Sequence, residues 1–115
     1  MINKKSVGND AENIARQYLV DQGLKLLHKN FFSRFGEIDL IMQDGNSHVF
    51  VEVRKRQDGL ISAIESITPS KQKKLIKAAQ YYLLKLGNEV NCRFDVIAID
   101  GNNQINWLKN VIVLQ

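Results

Sequence analysis

Asp39 and the run Glu52-Val53-Arg54-Lys55-Arg56 bear most directly on what chemistry this sequence can support. Both acids sit in mostly apolar, alternating stretches, GEIDLIMQ (36–43) and HVFVEVRKR (48–56). A carboxylate buried there without a partner is costly. Alternate residues of a strand face opposite sides. Glu37, Asp39 and Ile41 therefore share one face of the first stretch, and Phe50, Glu52 and Arg54 one face of the second. The intervening DGNS is a turn signal for an antiparallel hairpin. A loop at Gly45-Asn46, or a four-residue loop over 44–47, sets Asp39 directly opposite Glu52. A loop at Asp44-Gly45 makes them diagonal neighbours on the same face. Only a three-residue loop or a bulge would separate them. Opposed carboxylates repel, and two remedies are open. One is a hard divalent cation, Mg²⁺ or Mn²⁺, held by oxygen ligands. The other is pairing of one acid with Arg54 or Lys55 at the sheet edge. Pattern alone does not choose between them.

The elements that must position these residues follow from periodicity. Residues 9–22 read as a helix with Ala11, Ile14, Ala15, Tyr18 and Leu19 on one face and Gly23 as its stop. Residues 24–32 suit a strand, followed by the hairpin. QDGLISAIES reads as a loop and a short helix. Thr68 and Pro69 then open a longer helix with Leu75, Ile76, Ala79, Tyr82, Leu83 and Leu86 on its apolar face and Gly87 at its end. CRFDVIAID is a strand, GNN a turn, and QINWLKNVIVL a strand or two. The order α-β-β-β-α-β-β predicts one α/β domain over 1–115, built on a mixed central β-sheet flanked by helices.

Composition narrows the class. The chain has 115 residues, 44% of them hydrophobic, and a formal net charge of +4, with a pI near 9.3. No stretch reaches the roughly 18 apolar residues that span a bilayer, and the N-terminus lacks the apolar core of a secretory signal. Cys92 is the only cysteine. No intramolecular disulfide or cysteine metal site is available, which suits a reducing cytoplasm. His28 and His48 cannot build a zinc site alone. The basic balance is a mild pointer to a polyanion.

Asp39 followed by Glu52-Val53-Arg54 resembles the D…(D/E)-x-K motif of restriction-endonuclease-like nucleases. More narrowly, the chain resembles the bacterial YraN-like family of predicted nucleases, related to archaeal Holliday-junction resolvases. The matching stretches are GNDAENIARQYLVDQG, GEIDLI, VFVEVRKR, ITPSKQKKLIKAAQYYL and RFDVIAID, in family order over most of residues 8–100. The resemblance implies a restriction-endonuclease-like core in which Asp39, Glu52 and the backbone of Val53 hold a divalent metal. It also implies DNA as partner, with branched or damaged DNA among the candidate substrates. Junction resolvases cut two strands with two sites, so the same resemblance implies a homodimer. The motif's lysine, which orients or activates water, is Arg54 here. Arginine stays protonated and cannot serve as a general base, but it can position water or stabilise a charged transition state. Lys55 points to the opposite face by alternation.

Glu12 has two compatible readings: a capping box with Asn9 at the helix start, and, by the resemblance, an extra acid reaching the metal from the first helix. Gln72 either touches the site or is a satisfied polar group near a helix end. Asp95 is expected to pair with Arg93 or Arg56 in a structural role. Arg34, Arg56 and Lys71 are expected around the site as backbone contacts to DNA, with Lys73, Lys74 and Lys77 on a solvated helix face. Phe31, Phe32 and Phe35 suit core packing, or one of them stacks on an unpaired base. Two functions follow: a metal-dependent DNA endonuclease, or a catalytically inactive DNA-binding module, which Arg54 favours. A small interaction protein without a nucleic-acid partner would suit a pI nearer neutrality.

Overall fold

The computed structural model describes residues 4–112, with the side chains of its first helix described from Asp10 onward. The order is α1 (Lys4–Asp21), β1 (Lys25–Ser33), β2 (Gly36–Asp44), β3 (Ser47–Lys55), α2 (Leu60–Glu65), α3 (Pro69–Leu86), β4 (Asn91–Ile99) and β5 (Ile105–Ile112). The five strands form one sheet in sequence order. All neighbours are antiparallel except β3 and β4, which are parallel. A parallel pair cannot be closed by a tight turn and needs a crossover, which α2 and α3 supply. This is a mixed α/β fold with the expected element order, compatible with a nuclease-like core.

Each face of the sheet is covered. Ala11, Ala15 and Leu19 of α1 pack on Leu40, Met42, Val49, Val51 and Val53. Leu75, Ala78, Ala79 and Tyr82 of α3 pack on Ile41, Phe50, Phe94 and Val96 of the other face. Small alanines let both helices approach the strands closely, and burial of these stripes supplies most of their stability.

Local signals explain the boundaries. Thr68 caps α3 by accepting a hydrogen bond from the Lys71 N–H, and Pro69 occupies the first turn. Gly87, at φ 79°, closes α3 in the left-handed region. The α1 end folds back, with the Leu24 N–H donating to the Leu19 carbonyl at 3.0 Å, the six-to-one bond of a Schellman end. The start of α1 differs from expectation. The helix already runs from Lys4, so Asn9 lies inside it and cannot serve as its N-cap. The capping-box reading of Asn9 and Glu12 is therefore corrected. Among the described residues, no helix is long and apolar enough to cross a membrane.

Candidate functional site

The hairpin turn is the two-residue loop at Gly45-Asn46. Asp44 pairs with Ser47, and the ladder runs to Leu40 opposite Val51. The next pair in this register is Asp39 with Glu52, and there the ladder stops. The Val53 N–H, instead of reaching a backbone carbonyl, donates to Asp39 Oδ2 at 2.8 Å. In an extended strand the carbonyl of a residue lies on the same side as its N–H. The Val53 carbonyl thus faces the gap where β2 and β3 part.

Alternation on β2 inverts at the same place. Ile41 packs on the α3 side and Leu40 and Met42 on the α1 side, yet Ile38 also packs on the α3 side. Strict alternation would have grouped Ile38 with Leu40. The expectation that Glu37, Asp39 and Ile41 share a face is corrected accordingly: Glu37 and Asp39 gather with Glu12 of α1. On β1 the residue opposite is Asn30, which is left-handed at φ 55° and unpaired between Lys29 and Phe31. Asparagine tolerates this conformation better than most residues.

The resulting cleft of about 240 Å³ is lined by Glu12, Asp39, Glu52, Arg54, Lys55 and Arg56, with Ala11 and Val53. Carboxylate oxygens of Glu12, Glu37 and Asp39 lie within 4.8 Å of one another. Burial pushes the Asp39 carboxyl up to about 8, and the neighbouring Glu52 adds to the shift; the Val53 N–H and Arg54 oppose it. Burial, then the charge of Asp39, raises Glu12, while Asn30 and Lys29 act against the rise. Glu37 is raised by burial and by Asp39 and Glu12. Like charges held in a partly dry site explain these directions. In metal-free protein the Asp39 carboxyl therefore holds its proton to a much higher pH than an ordinary aspartate.

Both sequence remedies have a counterpart in the geometry. Glu52 meets Arg54, with Nη2 and Oε2 3.5 Å apart. That single long contact leaves Arg54 Nε buried without a partner, and Glu12 Oε2 is likewise buried and unpartnered. Among the described residues Arg54 makes its ion pair with Glu52, and none is formed by Arg54, Lys55 or Arg56 with Glu12, Glu37 or Asp39. Hard carboxylate oxygens, one of them orphaned, form a donor set that fits Mg²⁺ or Mn²⁺.

The structure brings Glu12, Asp39, Glu52, Val53, Arg54 and Arg56 to this cleft. Arg56 reaches back to the Lys55 carbonyl at 2.8 Å. Lys55, expected to point away, also lines the cleft, because the cavity opens at the end of the sheet and receives both faces of β3. Other residues lie elsewhere. Arg34 borders a separate groove with Phe35 and Tyr81, and Lys71 is exposed on the first turn of α3. Gln72 is a satisfied polar group, donating to the Ile67 carbonyl at 3.1 Å. Phe31 packs against the core, whereas Phe32 is 71% exposed. Asp95 has the expected structural pairing with Arg93. Sequence reasoning missed Glu37, although its place two residues before Asp39 marked it as a neighbour, and Asn30, whose type was the only signal.

The match to known proteins is extensive. The model of a family described as "Uncharacterised protein family UPF0102" matches residues 11–99. A UPF0102 protein of Nitrosomonas eutropha is 52% identical over 96% of this chain and 96% of its own length. One from Herminiimonas arsenicoxydans is 52% identical over 95% of this chain and 88% of its own. One from Vibrio parahaemolyticus is 47% identical over 97% of this chain and 96% of its own. The matched span runs from Ala11, beside Glu12, to the end of β4 and takes in every residue that lines the acid cleft. The chain belongs to the UPF0102 family.

Proposed function

We propose that this protein is a divalent-metal-dependent DNA endonuclease that hydrolyses phosphodiester bonds, those of branched DNA included. The observation that carries this reading is the convergence of carboxylates on Asp39 in a cleft rimmed by Arg54, Lys55 and Arg56. Asp39, Glu52 and the Val53 carbonyl would hold Mg²⁺ or Mn²⁺, with Glu12 beside them. The bound cation supplies positive charge against the attacked phosphate and acidifies water. The chain's own residues do the rest. Arg54, held near Glu52, turns its unpartnered guanidinium face to the phosphate and stabilises charge that develops there. Glu12 Oε2 is an unpartnered acceptor for the proton of an attacking water. Lys55 and Arg56 hold flanking phosphates without reading sequence.

A second reading is a DNA-binding module of the same fold without catalysis. Arg54 favours it, since a guanidinium cannot take a proton from water. Incubation with Mn²⁺ or Mg²⁺ and linear, single-stranded, flapped and four-way-junction DNA separates the two. Wild type is expected to cut at least one form. EDTA should abolish cleavage, and Glu52→Gln should lower it by about 100-fold or more. Wild type that binds every form and cuts none would falsify the nuclease reading and leave the binding module.

A further inference from the structure

The short turn between β1 and β2 contributes Arg34 and Phe35 to a second groove beside α3, where aromatic rings combine with cations. Phe32 stands directly opposite Glu37 in the β1–β2 ladder and is 71% exposed. Two residues on, the Arg34 guanidinium lies over the Phe35 ring at 4.9 Å. Phe35 meets Tyr81 edge-on at 6.2 Å, and Lys85 Nζ lies 4.9 Å over the Tyr81 ring. Arg34, Phe35, Lys77, Gln80, Tyr81 and Leu84 line a groove of about 390 Å³. Gly36 holds the turn against α3: a β-carbon there would sit 3.6 Å from Lys74 Cβ. The residues that line the groove include no carboxylate, whereas three of those that line the acid cleft are carboxylates.

Core packing accounts for Phe31, and a solvated helix face accounts for Lys73. Neither accounts for an exposed phenylalanine beside an acid cluster, nor for two cations stacked on rings that line one groove. Rings offer faces to any base, and cations answer the phosphates between them, which is how unpaired strands are held without sequence preference.

We infer that a single-stranded DNA segment leaves the acid cleft past Phe32 and lies in the Arg34–Phe35–Tyr81–Lys77 groove. This rests on the nuclease reading for its direction, since the strand is the unpaired arm of the DNA whose phosphodiester sits at Asp39. Phe32 stacks on the first base beyond the cleft. Arg34 and Lys77 take the phosphates that follow. The protein therefore binds substrates with an unpaired strand next to the cleavage point more tightly than continuous duplex.

The test measures affinity for a short oligothymidylate and for a blunt duplex, in EDTA so that nothing is cut. Four proteins are compared: wild type, Phe32→Ala, Arg34→Glu with Lys77→Glu, and a charge-matched control, Lys25→Glu with Lys109→Glu. Phe32→Ala is expected to weaken the oligothymidylate by roughly 5-fold or more. The groove double variant is expected to weaken it at least about 10-fold and to flatten its salt dependence. The control should remain within about threefold of wild type. The melting shift caused by Mn²⁺ reports the acid cleft and should be the same in all four. Equal losses in the groove and control variants, or an unchanged oligothymidylate affinity in Phe32→Ala and the groove variant, would overturn the inference even if wild type cuts DNA. Wild type that cuts nothing but binds oligothymidylate through Phe32, Arg34 and Lys77 would support the groove and remove only the nuclease reading.

Discussion

Asp39 and Asp95 lie on the two strands that flank β3, and their surroundings are opposite. Asp95 is 1% exposed, and its charge is answered inside the protein. Arg93 Nε reaches its two oxygens at 3.1 and 3.2 Å, Trp107 Nε1 donates at 2.9 Å, and the Asn110 N–H donates at 2.9 Å. Asp39 receives the Val53 N–H at 2.8 Å, has Arg54 as a weaker opposing charge, and otherwise meets Glu12, Glu37 and Glu52. An asparagine in the left-handed region marks each site, Asn110 in the β5 bulge and Asn30 opposite Asp39. In the first case the irregularity delivers a donor to the acid. In the second it accompanies an acid left among acids. Burial alone would single out Asp95. Counting donors against acceptors singles out Asp39.

The same substitution should therefore have opposite effects at the two positions. Asp95→Asn places an amide N–H among donors and removes the charge that Arg93 faces. Breaking a buried pair in this way costs roughly 3–5 kcal/mol. Asp39→Asn keeps an acceptor for the Val53 N–H and adds a donor toward Glu52. In metal-free buffer it should be neutral or stabilising by up to about 1–3 kcal/mol, and it should weaken Mn²⁺ binding. Urea unfolding and calorimetry with Mn²⁺ measure both. If Asp39→Asn destabilises as much as Asp95→Asn, the two acids have the same role. If it leaves Mn²⁺ affinity unchanged, the metal lies elsewhere.

Proton linkage sharpens the contrast. The Asp39 carboxyl is pushed from its usual 3.8 up to about 8 in the folded protein, by burial and then by Glu52. Glu12 and Glu37 are raised in the same direction. A folded carboxyl with a raised pKa keeps a proton that the unfolded chain has already released, so stability falls as pH rises. For the metal-free protein the loss should run from about pH 4 to about pH 8. Thermal melts in EDTA should therefore show a lower midpoint at pH 8 than at pH 5, with a shallower fall in Asp39→Asn. Mn²⁺ competes with these protons, so the stabilisation it gives should grow over the same interval. A wild-type midpoint that rises between pH 5 and pH 8 in EDTA would contradict the raised Asp39 pKa.

Much of this was legible in the sequence because it depends on local signals. The stop at Gly23, the Thr68-Pro69 start and the hairpin register each follow from a few residues whose backbone preferences agree with the fold. The start of α1 was not legible, because Asn9 and Glu12 imitate a cap inside a longer helix. The pair Asp39 and Glu52 followed from strand alternation and turn length. That Glu37 and Asp39 gather on the α1 side, away from Ile41, did not follow, because alternation inverts at Asp39. Lys55 was misplaced for a related reason. Alternation assigns faces, whereas the cleft opens at the end of the sheet where faces cease to matter.

The smallest expected effect on stability, and the most informative for mechanism, concerns the arginines. Arg93 and Arg54 repeat the contrast on the cationic side. Arg93 is committed, bonding Asp95 and also Asp44 at 2.9 Å. Arg54 makes one contact, at 3.5 Å to Glu52, and its Nε has no partner. The contact is single and long between two largely enclosed side chains, so Arg54→Ala should cost less than the roughly 3–5 kcal/mol lost when a well-bonded buried pair is broken. If Arg54 stabilises charge on the phosphate, cleavage should nevertheless fall by about 10²–10³-fold, with most DNA binding retained. Arg54→Lys should keep or raise activity. Lysine keeps the positive charge and, unlike arginine, can give up its proton when its pKa is lowered. Cleavage rate and affinity for wild type and both variants, measured with Mn²⁺ at two salt concentrations, separate these effects. If Arg54→Ala cleaves at the wild-type rate, the guanidinium serves only to hold Glu52, and the phosphate charge must be met by Lys55 and Arg56.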